Sequence, residues 1–215
     1  MDFVIIPAYN EGTTISAVIT KTKRYAANIV VVDDGSTDST FEQAQPAGII
    51  ALRHQVNLGK GAALKTGCEY AVQHGATKII VMDADGQHDP KEIPRFLQAL
   101  DKYDLALGSR QIPTSMPLVM KIGNRFISNS VKILYGLKVD DSQCGFRAFT
   151  ASAYAQIRWE AQDYFVETEI LIKSGKKRLQ HTQVPIETIY ADKYKGTTVL
   201  DGVMIIAKML GGKLW

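Results

Sequence analysis

The sequence predicts an α/β fold built on a mostly parallel sheet with helices on both faces. Strand and helix patterns alternate through the first half of the 215-residue chain, the order that gives parallel strands joined by helices. The run 79–82 is wholly apolar, which indicates a strand buried on both faces. Charged or amide side chains follow the apolar runs, at the strand ends where such sheets bind ligands.

Five apolar runs in the first half are predicted strands, at residues 3–6, 29–32, 49–53, 78–82 and 105–107. The helices predicted between them run from Thr13 or Thr14 to residue 26, up to residue 45, over 62–74 and over 90–100. Asp89 before Pro90 is typical of an N-cap followed by proline at the first helical position.

The second half is less regular. Its predicted elements are a helix at 116–135, a loop and short strand at 140–149, a helix at 166–174, a strand at 178–186 and an amphipathic helix at 200–210. The helix at 116–135 carries Lys121, Arg125 and Lys132 beside apolar residues, so it either packs on the domain or lies against lipid. We expect one domain over 1–198 and a C-terminal amphipathic helix over 199–215, for which membrane association is open.

Composition excludes several classes of protein. The net charge of +3 is too small to indicate nucleic-acid binding. Cys68 and Cys144 form no CxxC motif, so neither a zinc site nor a redox motif is predicted, and a reducing, cytoplasmic setting is expected. No apolar run approaches the ~20 residues that span a bilayer, and the strand at the N-terminus leaves no room for a signal peptide.

Asp83 and Asp85 follow the strand at 78–82 and are one residue apart. Side chains at i and i+2 of an extended segment point the same way, so these carboxylates repel each other unless a cation lies between them. Mg²⁺ or Mn²⁺ fits, because both prefer oxygen ligands and bind substrate phosphates; Gln87 adds a neutral oxygen. Turn formation and helix capping are the alternative, and they explain Asp89 but not this pair.

The remaining strand ends favour a nucleotide sugar as ligand. Strand one lacks GxGxxG, which argues against a dinucleotide fold, and the turn at 59–61 lacks Walker spacing. That turn could still place helix-start amides and Lys60 near a phosphate. A nucleobase could stack on Tyr9 and hydrogen-bond to Asp34, while the diphosphate would need a metal and a cation such as Arg110.

Six motifs occur in order, at residues 7–11, 32–36, 57–61, 83–88, 108–110 and 141–147. They read Pro-Ala-Tyr-Asn-Glu, Val-Asp-Asp-Gly-Ser, Asn-Leu-Gly-Lys-Gly, Asp-Ala-Asp-Gly-Gln-His, Gly-Ser-Arg and Asp-Ser-Gln-Cys-Gly-Phe-Arg. Together they resemble the GT-A glycosyltransferases of family 2, especially dolichol-phosphate mannose synthases and related polyprenyl-phosphate glycosyltransferases. The resemblance extends from about residue 5 to residue 202.

The resemblance implies metal-dependent, inverting transfer of a hexose from GDP-mannose or a UDP-sugar to a polyprenyl or dolichyl phosphate. The implied nucleotide-sugar contacts are Pro7, Tyr9, Glu11, Val32, Asp34, Lys60, Asp83, Ala84, Asp85, Arg110 and Lys193. The implied metal ligands are Asp83, Asp85 and Gln87, of which Asp85 and Gln87 are the direct ligands and Asp83 lies nearer the donor. The implied catalytic residues are Asp85, Arg110, Arg125 at the acceptor phosphate, and Asp141 on the acceptor side.

One segment departs from the family pattern Arg-x-x-Gly-x-Ser-Lys. Lys193 stands in place of the arginine, and Val199 stands in place of the second cation. Lysine lacks the bidentate fork of arginine, so the departure bears on donor identity, and Lys195 could substitute.

Two alternatives remain open. A family 2 enzyme that acts on a sugar hydroxyl would require a carboxylate base, for which Asp141, Glu167 and Glu169 are candidates. The other alternative is a nucleotide-sugar-binding module without catalysis. His88 is expected to be a turn residue or a hydrogen-bond partner of the metal-ligating side chains, and not a base. The expected partners are a nucleotide sugar, a polyprenyl phosphate and a membrane surface bound peripherally at its cytoplasmic face, with no nucleic acid; a homo-oligomer is compatible with the sequence.

Overall fold

The computed structural model describes residues 1–45, 48–110, 118–187 and 189, and the side chains of all of these except 118–122. The strands in this part of the chain are β1 Asp2–Ala8, β2 Asn28–Asp33, β3 Ile50–Arg53, β4 Lys78–Val81, β5 Leu105–Arg110, β6 Arg147–Thr150 and β7 His181–Ile186. The helices are α1 Ile15–Thr22, α2 Thr40–Ala44, α3 Lys60–Gln73, α4 Ile93–Ala99, α5 Leu118–Tyr135, α6 Ala151–Ile157 and α7 Val166–Lys176, and the 3-10 turn Pro90–Glu92 precedes α4.

The strands form one seven-stranded sheet in the order β3-β2-β1-β4-β6-β5-β7. All neighbouring pairs are parallel except those of β6, which runs antiparallel to β4 on one side and to β5 on the other. In this register Ala148 lies between Ile80 and Ala106. Because β6 runs the opposite way, the loop that leads into it reaches the carboxyl ends of β4 and β5.

A hydrophobic core covers each face of the sheet. Alternate residues of β1 face opposite sides, so Ile5 belongs to the core that includes residues of α3, α5, α6 and α7, and Ile6 belongs to the core that includes residues of α1, α2 and α4. Trp159 is fully buried on the first side, and Phe96 stacks on Phe146 on the second. Coverage of both faces explains why β1, β2 and β4 have no polar alternation. The prediction of a mostly parallel α/β sheet with helices on both faces is confirmed.

Several predicted boundaries were wrong. The fifth strand was expected to end at residue 107, but it continues to Arg110 because β7 pairs with it as far as Ile186. The strand predicted from residue 178 begins at His181, and the first helix ends at Thr22. Helix α6 was not predicted. Residues 199–215, with the predicted helix at 200–210, lie outside the described residues.

Among the helices of the described residues, none combines the length and the apolar character needed to cross a membrane.

Candidate active site

The predicted site residues lie along the carboxyl edge of the sheet, where β1, β2, β4 and β5 end and where the loop before β6 arrives. Asp83 lies at the centre of this edge, two residues beyond the end of β4. Its Oδ1 lies 2.6 Å from Nζ of Lys60. Burial raises the pKa of Asp83, but the ion pair with Lys60 outweighs it and the pKa falls to about 2. Asp83 is therefore ionised at neutral pH.

Gly145 lets the loop before β6 approach Asp83 closely. A Cβ atom at position 145 would lie 2.3 Å from Oδ2 of Asp83, well inside van der Waals contact. Any larger residue at position 145 would force the carboxylate or the loop to move.

Lys60 is the first residue of α3, and it bridges two carboxylates. Its Nζ lies 2.6 Å from Oδ1 of Asp83 and 2.7 Å from Oε1 of Glu167. Burial alone would lower the pKa of Lys60, but the charges of these two carboxylates raise it above its usual value. Lys60 is thus a buried cation with a carboxylate on either side.

The start of α3 is covered by the segment that joins α6 to α7. The amides of Gly61 and Ala62 donate to the carbonyl oxygen of Gln162, at 2.6 and 3.3 Å. A Cβ atom at position 61 would lie 2.1 Å from the carbonyl oxygen of Ala161, so only glycine fits there. These helix-start amides are used within the protein, which corrects the expectation that they face a phosphate.

Glu169 holds that covering segment. Its carboxylate accepts hydrogen bonds from the amides of Glu160 and Ala161, and it pairs with Lys173 at 2.9 Å. The side chain of Glu169 is almost fully buried. Its contacts are those of a structural group rather than of a base.

Asp85 and Gln87 lie on the turn beyond Asp83 and remain partly exposed. Oδ1 of Asp85 accepts a hydrogen bond from the amide of Gln87 at 2.9 Å. Burial, followed by the negative charge of Asp83, raises the pKa of Asp85 to about 6. Ala84 between the aspartates is buried.

The donor set of this turn suits a magnesium-type ion that keeps open coordination positions. Within the described residues there is no cluster of three or more His, Cys, Asp and Glu side chains arranged to hold a metal. Mg²⁺ in proteins is bound by one or two carboxylates while waters and substrate phosphates complete its shell. One carboxylate from Asp85 and one amide oxygen from Gln87 fit that requirement.

His88 supports the turn from inside. It is buried, and its Nδ1 accepts a hydrogen bond from the backbone N–H of Asp83 at 3.2 Å. Its ring packs against Phe146 with 5.2 Å between centroids. Burial lowers the pKa of His88 to about 4, so the ring is neutral at physiological pH. This placement agrees with a role as partner of the turn and not as a base.

The expected nucleoside end lies beyond β1 and β2. Pro7 and Val32 are paired and buried in those strands, while the ring of Tyr9 is 45% exposed. Oε2 of Glu11 accepts a hydrogen bond from the hydroxyl of Thr14 at 2.7 Å.

Asp34 is buried at this end and holds the next loop in place. Its Oδ1 accepts from the amide of Leu58 and lies 2.6 Å from Nδ1 of His54, while its Oδ2 accepts from the amide of Gly59 at 2.7 Å. His54 reaches α3 through the hydroxyl of Thr66. The carboxylate expected to contact a nucleobase therefore also fixes the loop that leads to Lys60.

Arg110 and Asp141 form a bidentate pair. Nε of Arg110 lies 2.6 Å from one carboxylate oxygen of Asp141, and Nη2 lies 3.0 Å from the other. Asn124 of α5 donates to the same carboxylate. Burial raises the pKa of Asp141, but the bonds and charge of Arg110 lower it below its usual value. Asp141 is thus an ionised group that orients Arg110.

Helix α5 has a buried face and an outward face. Asn124, Ile127 and Val131 are buried against the domain, whereas Arg125 and Lys132 are exposed. Its outward apolar side chains are Phe126, Ile133 and Leu134, which are 46%, 80% and 60% exposed. The helix thus packs on the domain and also presents a second apolar surface to solvent.

Arg147 is a site residue whose role the sequence did not indicate. It is fully buried in β6, and its guanidinium donates to the backbone carbonyls of Ser142, Cys144 and Glu167 at 2.6–2.8 Å. It therefore joins the loop before β6 to α7. The signal was its place in the motif at 141–147, although the motif alone does not show three carbonyl acceptors.

Lys193 lies outside the described residues.

Comparison with known proteins identifies the family. The family model described as "Glycosyl transferase family 2" matches residues 3–157. The chain belongs to glycosyltransferase family 2. A relative in Methanococcus voltae, named UDP-N-acetylglucosamine–dolichyl-phosphate N-acetylglucosaminyltransferase, is 35% identical over 97% of this chain and 94% of its own length. The polyprenol monophosphomannose synthase of Mycolicibacterium smegmatis is 27% identical over 99% of this chain and 85% of its own.

Solved structures share the fold of this glycosyltransferase. The glucosyl-3-phosphoglycerate synthase of Mycobacterium tuberculosis, solved with Mn²⁺, UDP and phosphoglyceric acid, has a TM-score of 0.80 and 21% identity. The match covers 98% of this chain and 78% of that one. At this identity the likeness establishes the GT-A fold alone.

Proposed function

We propose that this glycosyltransferase moves a hexose, with inversion, from a GDP- or UDP-linked sugar to a polyprenyl or dolichyl phosphate, and that it uses Mg²⁺ or Mn²⁺. The observation that carries the proposal is that each of the three carboxylates considered as a base is already paired or hydrogen-bonded within the protein. Asp141 is saturated by Arg110 and Asn124, Glu169 holds backbone amides, and Glu167 pairs with Lys60. A site arranged in this way suits an acceptor that brings its own anionic nucleophile.

A lipid phosphate meets that need. A phosphate monoester has its second pKa near 6, so it is mostly a dianion at neutral pH and requires no general base. The names of the two relatives, one a dolichyl-phosphate N-acetylglucosaminyltransferase and the other a polyprenol monophosphomannose synthase, support the same acceptor class.

The donor is proposed to lie across the carboxyl edge, with its base beside Tyr9 and its diphosphate beside Arg110. Pro7, Glu11, Val32 and Asp34 would line the nucleoside, and Asp83 with Ala84 would face the sugar and diphosphate. Lys193 is a proposed further cation for the donor. A bound Mg²⁺ or Mn²⁺ would be held by Asp85 and Gln87 and would supply charge neutralisation for the diphosphate.

In the proposed reaction an acceptor phosphate oxygen forms a bond to the anomeric carbon as the bond from that carbon to the diphosphate breaks. The diphosphate leaves with the bonding electron pair. Arg110, oriented by Asp141, offsets the charge that develops on this leaving group. Arg125 binds the acceptor phosphate and aligns it for attack.

The outward face of α5 is proposed to rest on the cytoplasmic surface of the membrane that holds the acceptor. Phe126 and Ile133 form an apolar ridge, and Arg125 and Lys132 flank it on one side. An apolar ridge flanked by cations is typical of helices that lie in an anionic lipid interface.

Matched acceptors and one variant test this function. Dolichyl phosphate should accept labelled sugar and dolichol should not, because only the first carries the anionic nucleophile. Arg125→Ala should raise the KM for dolichyl phosphate by about 10-fold or more, since a charge-assisted bond contributes about 1.5–3 kcal/mol, and should leave the KM for the donor unchanged. Asn129→Ala, exposed on the same helix, is the control. Equal transfer to dolichol, or tight donor binding without transfer, would contradict the proposal.

A further inference from the structure

Lys60 lies between two carboxylates, and one of them, Asp83, is separated from Asp85 by one residue. Its ammonium group touches Asp83 on one side and Glu167 on the other, and its side chain is only 17% exposed. Asp83 and Asp85 are one residue apart, so a cation approaching both would meet this ammonium group at Asp83. Two positive charges about 4 Å apart repel by several kcal/mol where solvent is partly excluded.

The position of Lys60 is fixed from several directions. The carbonyl of Gln162 accepts the amides that follow Lys60 in α3, and Glu169 holds the segment that provides this carbonyl. Glu167 is itself buried, and its backbone carbonyl accepts a hydrogen bond from Arg147. These contacts fix the start of α3, from which the Lys60 side chain extends, and the backbone of Glu167, to which its ammonium group is paired.

Asp83 is fixed as well. Its backbone amide donates to His88, and the backbone of Gly145 lies against its Oδ2. One carboxylate oxygen thus lies against Lys60 and the other against the backbone of Gly145, while the side chain of Asp83 is 26% exposed.

We infer that Lys60, anchored by Glu167, keeps Asp83 away from the metal and reserves it for the donor, so that the ion rests on Asp85 and Gln87. The inference rests on the proposed metal-dependent function. It makes Lys60 and Glu167 positioning residues, a role that differs from direct binding of a donor phosphate by Lys60 and from base catalysis by Glu167.

Mn²⁺ binding without nucleotide, followed by electron paramagnetic resonance, tests the inference in the full chain. Lys60→Gln should bind Mn²⁺ about 10-fold more tightly than the wild type, because it removes a positive charge and frees Asp83. Lys60→Arg keeps the charge and should stay within about twofold of the wild type. Lys65→Gln, an exposed lysine of α3, is the matched control.

The gain must depend on Asp83. In an Asp83→Asn background, Lys60→Gln should change Mn²⁺ affinity by no more than about twofold, which is the coupling that a double-mutant cycle measures. Lys60→Met serves as a second variant if Lys60→Gln does not fold, since it removes the charge and keeps an unbranched side chain of similar length.

Three results would overturn the inference. Unchanged or weaker Mn²⁺ binding in Lys60→Gln and Lys60→Met would exclude the shielding role. Calorimetry without metal that shows lost GDP and UDP binding in these variants, with Mn²⁺ binding unchanged, would make Lys60 a phosphate ligand. A wild type that binds no Mn²⁺ either alone or with GDP or UDP present would remove the metal from the proposed function itself, so the two failures are distinguishable.

Discussion

At the scale of single residues, the acidic groups of the site differ in what holds them. Asp141 pairs with Arg110, and Glu169 accepts hydrogen bonds from backbone amides. Glu167 and Asp83 both pair with Lys60, and the side chain of Asp85 is partly exposed. The sequence could show that these carboxylates exist and that Asp83 and Asp85 face one way. It could not show the ion pairs, because Lys60, Asp83 and Glu167 come from distant parts of the chain.

Loss of the Asp141 carboxylate should disconnect Arg110. Asp141→Asn leaves that guanidinium without its bidentate partner, and removing one member of a buried pair costs about 3 kcal/mol of unfolding free energy. We expect lower stability in denaturant titration and a fall in kcat of about 100-fold, as Arg110 no longer meets the diphosphate. Asp140→Asn, an exposed neighbour, is the control, and normal kcat in Asp141→Asn would refute the role.

A methyl group at position 145 should disturb Asp83. Gly145→Ala places a Cβ 2.3 Å from Oδ2 of Asp83, so the carboxylate or the loop must move. We expect weaker donor binding by calorimetry, by about 10-fold, since misplaced site groups lose much of their interaction. Gly123→Ala, where no atom lies within 4 Å of the new carbon, should bind the donor normally; equal affinity in both variants would show that the contact is unimportant.

The acid limb of the pH–rate profile should follow protonation of the acceptor phosphate. Protonation converts the dianion to a poorer nucleophile, so activity is lost as pH falls through a pKa near 6. At saturating metal, Glu167→Gln should keep this limb, and a lipid phosphonate with a higher pKa should shift it upward. A limb that disappears in Glu167→Gln would instead identify that residue as a base.

At the scale of elements, the antiparallel strand β6 brings the site together. It lies between β4 and β5, so the loop before it places Asp141 beside Arg110 and Gly145 beside Asp83. Local patterns predicted the strands of the first half because each is followed by its own helix. They did not predict this insertion, since a strand that pairs with two distant neighbours has no local signature.

The outward face of α5 should carry membrane binding. Ile133→Glu places a charge on a side chain that is 80% exposed, and burial of such a side chain in lipid contributes about 1.5–3 kcal/mol. We expect about 10-fold weaker co-sedimentation with anionic vesicles and an unchanged melting temperature. Gln98→Glu, exposed on α4 on the other side of the sheet, is the matched control, and equal binding by the two variants would argue against docking through this face.

At the scale of the whole molecule, the carboxyl ends of β1, β2, β4 and β5 and the loop before β6 meet at a single edge of the sheet. The fold class, the run of strand ends and the family motifs were readable from the sequence because they rest on local periodicity and short spacing. The pairing of α7 with the start of α3, through Glu167 and Lys60, was not, because this contact joins residues about a hundred positions apart. That pairing is what leaves the site suited to an anionic acceptor.

Transfer of label from a nucleotide sugar to a lipid phosphate tests the central claim most directly. The full chain is incubated with Mn²⁺, dolichyl phosphate and each of labelled GDP-mannose, UDP-glucose and UDP-N-acetylglucosamine, and the product is extracted into organic solvent and its anomeric configuration determined. We predict a dolichyl-phosphate-linked sugar with inverted anomeric configuration from at least one donor, and no such product after chelation of the metal. Label found only in water-soluble glycosides formed on sugar hydroxyls, with a blank lipid extract, would contradict the account.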